Sequence, residues 1–539
     1  MKGLVIIPAR GGSKGIPNKN IRFLSGKPLI FYSLNTANNS THNLDIIVST
    51  ESSKIKNWVN QLGYAVIDRP NSLSSDEATL DEVITSVYLD NFAKSGYDFV
   101  VTIQPTSPLL TSITLDRAIN EFINCNYDTL ISVVNHPHLS WRDEGSEIAP
   151  NYLLRKNRQE LPNYYLETGA FVISRSSNFE NASRISGKIS VFEIPNNESI
   201  DIDDYNDWIL AEKAILSRKI VIFTEGYSMI GMGHVYRTLL LFEKLFTHEV
   251  TLITTSRSDI AIEKFQEDKI PHIVVNNCEE FLRILPELKP DILINDILDT
   301  TVGFIKKCKT HVSRVINFED LGKGGKYCDV VINDLYEYPV LLDGDNYLWG
   351  SRYFLLRDEF FLIGKTKFSK KVTNILVLFG GTDPSNLNKK LSEVAVLLAN
   401  EFKFTFIVGK GYKYYDNLYR ILNKHSNITL TSDTNQVASI MKTTQLAISS
   451  QGRTMLELAF MQIPTILLAQ NNRELKHSFG YLDNGFINLG LGKTIKVEEV
   501  YRTIKWLASS SRIREELRIV QSRFKPENTF KELERIILG

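Results

Sequence analysis

The chain has 539 residues, of which 43% are hydrophobic and 23% charged, a balance that excludes wholesale disorder and fibrous repeats. Lys+Arg and Asp+Glu both number 62, so the formal net charge is +0. That argues against nucleic acid as the main partner, because such proteins carry a basic footprint.

At ~150 residues per domain, this length predicts three or four compact units. The opening apolar run from Leu4 to Ile7 is too short for a signal peptide and is cut off by Pro8 and Arg10. No later stretch reaches the ~20 apolar residues of a membrane span. Cys125, Cys278, Cys308 and Cys328 show neither a CxxC pair nor metal-ligand spacing, and they read as reduced thiols. The expectation is a cytoplasmic enzyme with no membrane and no nucleic-acid partner.

Short β-branched runs at 4–8, 46–49, 99–104 and 129–134 predict strands, with helix-length segments such as 76–94 and 112–124 between them. This alternation predicts an α/β fold with a mainly parallel sheet. A helix at 207–216 closes the series, and the pattern restarts with a strand at 220–223. Strands at 249–254, 272–275, 292–295, 312–318 and 330–333 follow. A charged connector holding Lys365, Lys367, Lys370 and Lys371 precedes a second restart at 374–379, with further strands at 404–408, 427–430, 446–449 and 465–468. The predicted organisation is one domain over 1–217 and a two-lobed unit over 218–539. Its Rossmann-like lobes are expected at about 218–370 and 371–539.

Three features of the first domain carry chemistry. Pro8-Ala9-Arg10-Gly11-Gly12-Ser13-Lys14-Gly15 follows the first strand. Glycines there let backbone amides approach a polyphosphate, and Arg10, Lys14 and Lys19 bring cations to it. The spacing is neither a Walker A loop nor GxGxxG, and a basic turn is the plain alternative. Near the domain's end, Asp201 and Asp203 project together if the segment is extended. Paired carboxylates beside a triphosphate suit Mg²⁺, whereas Asp204 is placed to cap the next helix. Gln104-Pro105-Thr106-Ser107 ends a strand, where open α/β sheets bind ligands, and offers neutral hydrogen bonds to a polyhydroxy substrate.

ARGGSKGIPNKN (from Ala9), GKPLI (from Gly26), RP (Arg69-Pro70), QPTSPL (from Gln104), ETGAF (from Glu167) and DIDD (from Asp201) occur in this order. The ordered set spans 1–215 and resembles the CMP-N-acetylneuraminate synthetases, cytidylyltransferases that activate sialic and other nonulosonic acids. The resemblance implies that Arg10, Lys14 and Lys19 contact the CTP phosphates and act in catalysis. Gly11, Gly12, Ser13, Asn20 and Arg69 would complete the nucleotide site. Gln104, Thr106, Glu167, Gly169 and Phe171 would contact the sugar acid, and Asp201 and Asp203 would hold Mg²⁺. The implied reaction is attack of the anomeric hydroxyl on the α-phosphate of CTP, releasing pyrophosphate. Where the family commonly reads Ser-Thr-Asp, this chain has Ser49-Thr50-Glu51, and Glu51 is given no role.

In the second unit, Gly231-Met232-Gly233-His234-Val235-Tyr236-Arg237 opens a helix after the restart strand. Arg237, at i+3, shares a face with His234. A helix N-terminus favours a neutral imidazole able to accept a proton. Phe379-Gly380-Gly381-Thr382-Asp383 and Ser449-Ser450-Gln451-Gly452-Arg453 follow strands of the second lobe, and amides at the latter helix start could receive a diphosphate. Glu457, one turn inside, could reach ribose hydroxyls. Asp296, Asp299, Glu319 and Asp320 read equally as cleft residues or as loop caps.

IGMGHVYR, FGGTD and SSQGRTMLEL resemble the UDP-sugar hydrolase of pseudaminic acid biosynthesis, over about 220–490. The resemblance implies a GT-B-like pair of lobes with His234 as the residue that assists water at the anomeric centre. Gly380, Gly381, Ser450, Gly452 and Glu457 would lie on the UDP side, with Gln470 and Asn471 near the sugar. The substrate would be a UDP-linked 2,4-diacetamido-trideoxyhexose. The alternatives for this unit are a glycosyltransferase and a non-catalytic nucleotide-sugar-binding module. Together the two halves imply a bifunctional enzyme of nonulosonic acid formation (sialic, legionaminic or pseudaminic) that works with a separate phosphoenolpyruvate-dependent synthase. The synthetase family also suggests a homodimer.

Overall fold

A computed structural model describes every residue except 13, 14, 76, 146, 182, 338–343, 433 and 435. The chain divides into two compact units, Met1–Ser217 and Arg218–Gly539.

The first unit is built on a seven-stranded sheet. Its spatial order is Ile189–Glu193, Thr129–Asn135, Tyr165–Arg175, Phe99–Ile103, Gly3–Pro8, Leu44–Thr50 and Ala65–Asp68. All strands run parallel except Tyr165–Arg175, which is antiparallel to both neighbours. Leu4, Val5, Ile6 and Ile7 are all fully buried, as a central strand covered by helices on both faces requires. The helix Ser112–Asn124 starts where Thr111 accepts the Thr114 N–H and buries Leu115, Ala118, Ile119 and Phe122 along one face. Asp204 caps the helix Tyr205–Leu216 through a capping box with Asp207.

After Gly3–Pro8 the chain lays down strands on one side of it, then crosses to Phe99–Ile103 on the other. The loops after Gly3–Pro8 and Phe99–Ile103 therefore diverge and leave a crevice at the strands' C-terminal ends. Sequence periodicity missed three strands, Ala65–Asp68, Tyr165–Arg175 and Ile189–Glu193, and the small hairpin Trp141–Asp143 with Ile148–Pro150.

The second unit carries two wholly parallel sheets. The first runs His272–Val275, Glu249–Thr255, Lys219–Thr224, Ile292–Asp296, Arg314–Phe318, Val330–Asn333 and Tyr347–Trp349. The second runs Ile428–Ser432, Lys403–Val408, Asn374–Leu378, Leu446–Ser449, Thr465–Ala469 and Phe486–Leu491. The last strand of each was not foreseen. Each sheet repeats the same reversal, between Lys219–Thr224 and Ile292–Asp296 in one lobe and between Asn374–Leu378 and Leu446–Ser449 in the other.

One expected boundary is displaced. The helix Thr529–Leu538 leaves the second lobe and buries Leu533 and Ile537 against Ile220, Leu241 and Ile316 of the first. The Arg314 side chain donates to the Ile536 carbonyl at 2.5 Å, and the Thr529 hydroxyl to Arg352 O at 3.1 Å. The last ten residues thus pack with the first lobe, because an amphipathic pattern predicts a helix but not the surface that receives it. Among the described residues no helix is long and apolar enough to cross a membrane.

Candidate functional site

The crevice of the first unit gathers residues distant in sequence. Arg10, Gly11 and Gly12 follow the central strand, while Ser13 and Lys14 lie outside the described residues. Asn20, 8% exposed, donates to the Arg10 carbonyl at 2.9 Å and fixes the loop's entry. Lys19 reaches across to the Ile202 carbonyl at 2.6 Å and to Asp203 Oδ1 at 3.3 Å. A Cβ on Gly15 would stand 2.3 Å from the Asp203 carbonyl oxygen, so only glycine permits this approach of loop to acidic segment.

Asp201 is half-buried and Asp203 exposed, with the fully buried Ile202 between them. Asp201 Oδ1 is buried without a hydrogen-bond partner. Burial pushes the Asp201 carboxyl above the usual carboxylate range, opposed by Thr106 and reinforced by the charge of Asp203. A buried, orphaned carboxylate oxygen beside a glycine-rich basic loop fits a hard cation. Asp201 and Asp203 would hold Mg²⁺ there, and the ion would supply charge neutralisation at the phosphates. Among the described residues no three His, Cys, Asp or Glu side chains form a group that could hold a metal ion.

Gln104 faces the same crevice, since a Cβ on Gly169 would lie 2.9 Å from Gln104 Nε2 and 3.3 Å from Asp201 Oδ2. The Thr106 carbonyl accepts the Ile202 N–H at 2.8 Å, tying the two loops together. Arg69 is 7% exposed, donates to the Ser49 carbonyl at 3.0 Å and leaves Nε unpartnered. Glu167 is exposed at the strand's start. Phe171 departs from expectation. Its ring is 1% exposed and packs in the core 6.1 Å from Phe192, so it supports the sheet and presents nothing to a sugar. The strand's register shifts between Glu167 and Val172, and Phe171 lies within that irregular stretch.

In the second unit His234 sits in the first turn of the helix Gly233–Lys244 and is 5% exposed. Its Nδ1 lies 2.5 Å from Asp296 Oδ1, at the reversal point of the sheet. Burial would raise the Asp296 carboxyl, but Arg237 and then His234 outweigh it and hold the group below the usual carboxylate range. An ionised Asp296 can only accept, so Nδ1–H donates and the lone pair belongs to Nε2. Arg237, 1% exposed, donates to Asp296 Oδ2 at 2.8 Å and Oδ1 at 2.6 Å, to Glu319 at 2.6 Å and to Asp334 at 3.2 Å. These three carboxylates outweigh burial and hold its guanidinium well above the ordinary arginine value.

Of the four acidic residues left open, Asp296 and Glu319 shape the cleft. Asp299 pairs with Arg473 at 2.8 Å. Asp320 is a loop organiser that accepts from the Thr300 and Gly322 amides. Asp334, Arg453, Arg473, Glu474 and His477 were missed. Arg453, from the second lobe, donates to Asp334 at 2.7 Å and closes the network across the cleft. His477 Nδ1 lies 2.6 Å from the Gln451 carbonyl, and burial lowers its affinity for a proton.

The glycine loops of the two lobes meet. A Cβ on Gly381 would fall 2.7 Å from Met232 Cγ, whereas Gly380 has open space beside it. Ser450 and Gly452 lead into the helix Thr454–Met461. Glu457 is held at 3.0 Å by Arg357, a partner the sequence gave no reason to expect. Gln470 Nε2 donates to the Phe379 carbonyl at 2.7 Å, and Asn471 Oδ1 accepts the Arg473 and Glu474 amides. Both stand at the cleft, with those atoms engaged in shaping it.

Residues 4–215 match the family model described as Cytidylyltransferase, and 375–477 match the Glycosyltransferase family 28 C-terminal domain. An uncharacterized protein of Methanocaldococcus jannaschii is 32% identical over 282 residues, covering 49% of this chain and 58% of that protein. The N-acylneuraminate cytidylyltransferase of Streptococcus agalactiae serotype V is 32% identical over 248 residues, covering 43% of this chain and 59% of that one. The chain therefore spans less than two-thirds of the length of these relatives. The spore coat polysaccharide biosynthesis protein SpsG of Bacillus subtilis is 27% identical over 304 residues, 54% of this chain and 90% of that protein. The chain thus joins a first unit that matches the Cytidylyltransferase family model to a second unit of paired parallel sheets, part of which matches the Glycosyltransferase family 28 C-terminal domain.

Proposed function

We propose that the chain is a bifunctional enzyme of nonulosonic acid metabolism. The first unit transfers CMP from CTP to the anomeric hydroxyl of a nonulosonic acid. The hydroxyl oxygen attacks the α-phosphorus and pyrophosphate departs. Lys19 and Arg10 stabilise the charge that develops on the phosphates, and Gln104 orients the acid. The observation that carries this reading is the meeting of loop, Lys19 and the orphaned Asp201 oxygen in one crevice. Phosphorus NMR with CTP, Mg²⁺ and sialic, legionaminic and pseudaminic acids in turn tests it. A CMP-sugar resonance with matching pyrophosphate is expected for one acid, and silence with all three refutes the assignment.

For the second unit we infer hydrolysis of a UDP-linked diacetamido sugar, with His234 Nε2 taking a proton from water. The buried His234–Asp296 pair supports this, since an ionised carboxylate fixes the tautomer that a general base needs. Transfer of the sugar to an acceptor other than water is the second reading, favoured by the family 28 match. UDP release that depends on an added acceptor supports transfer, and release in buffer alone supports hydrolysis. A His234→Ala chain releasing UDP at the normal rate refutes the role of His234 in either. The two activities would flank a condensation with phosphoenolpyruvate performed by a separate synthase.

A further inference from the structure

Glu51 stands directly after the strand Leu44–Thr50, beside the phosphate loop but outside every role given so far. Its Oε1 accepts the Gly11 N–H at 2.5 Å. Its Oε2 lies 3.4 Å from Ser74 Oγ. Its charge also bears on Arg69. Burial lowers that guanidinium's hold on its proton and Arg10 adds to the effect, while Glu51 opposes both.

These contacts have a common consequence. The phosphate loop is tied at the Arg10 carbonyl by Asn20, and at its far end Gly15 and Lys19 close on Asp203. Between them, Gly11 is tied by Glu51. The same carboxylate is a negative charge acting on Arg69, a cation 7% exposed on which Arg10 exerts a like charge. Remove it, and the Gly11 amide loses its acceptor while two arginines repel each other across the nucleotide side of the crevice.

We propose that Glu51 is a positioning residue for CTP, setting the Gly11 turn and the Arg69 guanidinium in the places where they meet the nucleotide. It does so without touching the reacting atoms. The inference rests on reading the loop after Gly3–Pro8 as the triphosphate site.

The test compares Glu51→Ala and Glu51→Gln with the unaltered full chain, reading KM for CTP, KM for the sugar acid and kcat, with calorimetric titration of Mg²⁺–CTP. Loss of a charged acceptor weakens a contact by roughly tenfold or more. Glu51→Ala is therefore expected to raise KM for CTP by about that factor and leave KM for the acid in place. Glu51→Gln keeps an oxygen for Gly11 but no charge for Arg69, and should recover part of the loss. An unchanged CTP KM in Glu51→Ala overturns the proposal. So does a parallel rise in both KM values with a lowered melting temperature, which marks a merely structural role. An unaltered chain that fails to bind CTP overturns the loop reading itself, a result distinct from normal binding by every variant.

Discussion

Glu474 offers a perturbation whose size can be worked from its surroundings. Its carboxyl accepts the Gln470 N–H at 2.8 Å and the Gln451 N–H at 3.3 Å, at the base of the helix expected to meet a diphosphate. Burial pushes it up to about 7 from the ordinary 4.5, the two amides oppose the rise, and the nearby Asp383 adds to it. Between those values the folded chain binds a proton that the unfolded chain has lost, so stability falls as pH rises through the window and then levels off. A gap of that size corresponds to ~3 kcal/mol. Glu474→Gln keeps an oxygen for both amides and cannot ionise. At pH 5 the variant should exceed the parent by less than ~1 kcal/mol, and above pH 7 by the full ~3 kcal/mol. In scanning calorimetry the transition of the second unit should rise by about 5 °C at pH 8 and by little at pH 5. A difference that stays constant from pH 5 to 8.5 would falsify the assignment of a raised, burial-driven carboxyl.

Three further outcomes follow from the geometry. Arg237→Met removes the buried guanidinium shared by Asp296, Glu319 and Asp334, of which Asp334 keeps Arg453 and Asp296 keeps His234, and should cost the second unit ~3–5 kcal/mol in chemical denaturation. Asp201→Asn keeps the shape but removes the charge of the orphaned oxygen. CTP-dependent turnover should drop on the order of 100-fold, and a normal rate at low Mg²⁺ would exclude Asp201 as a ligand. Gly15→Ala drives a methyl against the Asp203 carbonyl, so the loop must shift at a cost of ~1–3 kcal/mol. Weakened CTP binding in a titration is the expected reading.

The sequence disclosed most where chemistry is local. A glycine-rich stretch after a strand and an acid pair before a helix can be read without knowing what lies opposite. The Arg237 network was hidden because its carboxylates come from three places, each looking like an ordinary strand end. A regularity was nonetheless available, since Asp296, Glu319 and Asp334 close or follow three successive strands. Phe171 was expected at the sugar from the ETGAF resemblance alone, and a motif does not say which of its side chains the sheet turns into the core. The contact of Glu457 with Arg357 was not legible because the two lie 100 residues apart and the motif says nothing about the element that carries the arginine. Glu474 and His477 carry no local mark, and only tertiary burial distinguishes them.

The return of the last helix to the first lobe sets the mechanics of the second unit. The chain passes between the lobes once on the way out, after Tyr347–Trp349, and once on the way back, before Thr529–Leu538. Two bodies joined by a single tether can swivel freely. Two crossings restrict relative rotation of the lobes more than one would, and Arg453 with Asp334 and Arg473 with Asp299 join their facing surfaces. The alignment of the two faces that meet at the cleft, His234 on one of them, is thus held by the path of the backbone as well as by the side chains that cross it.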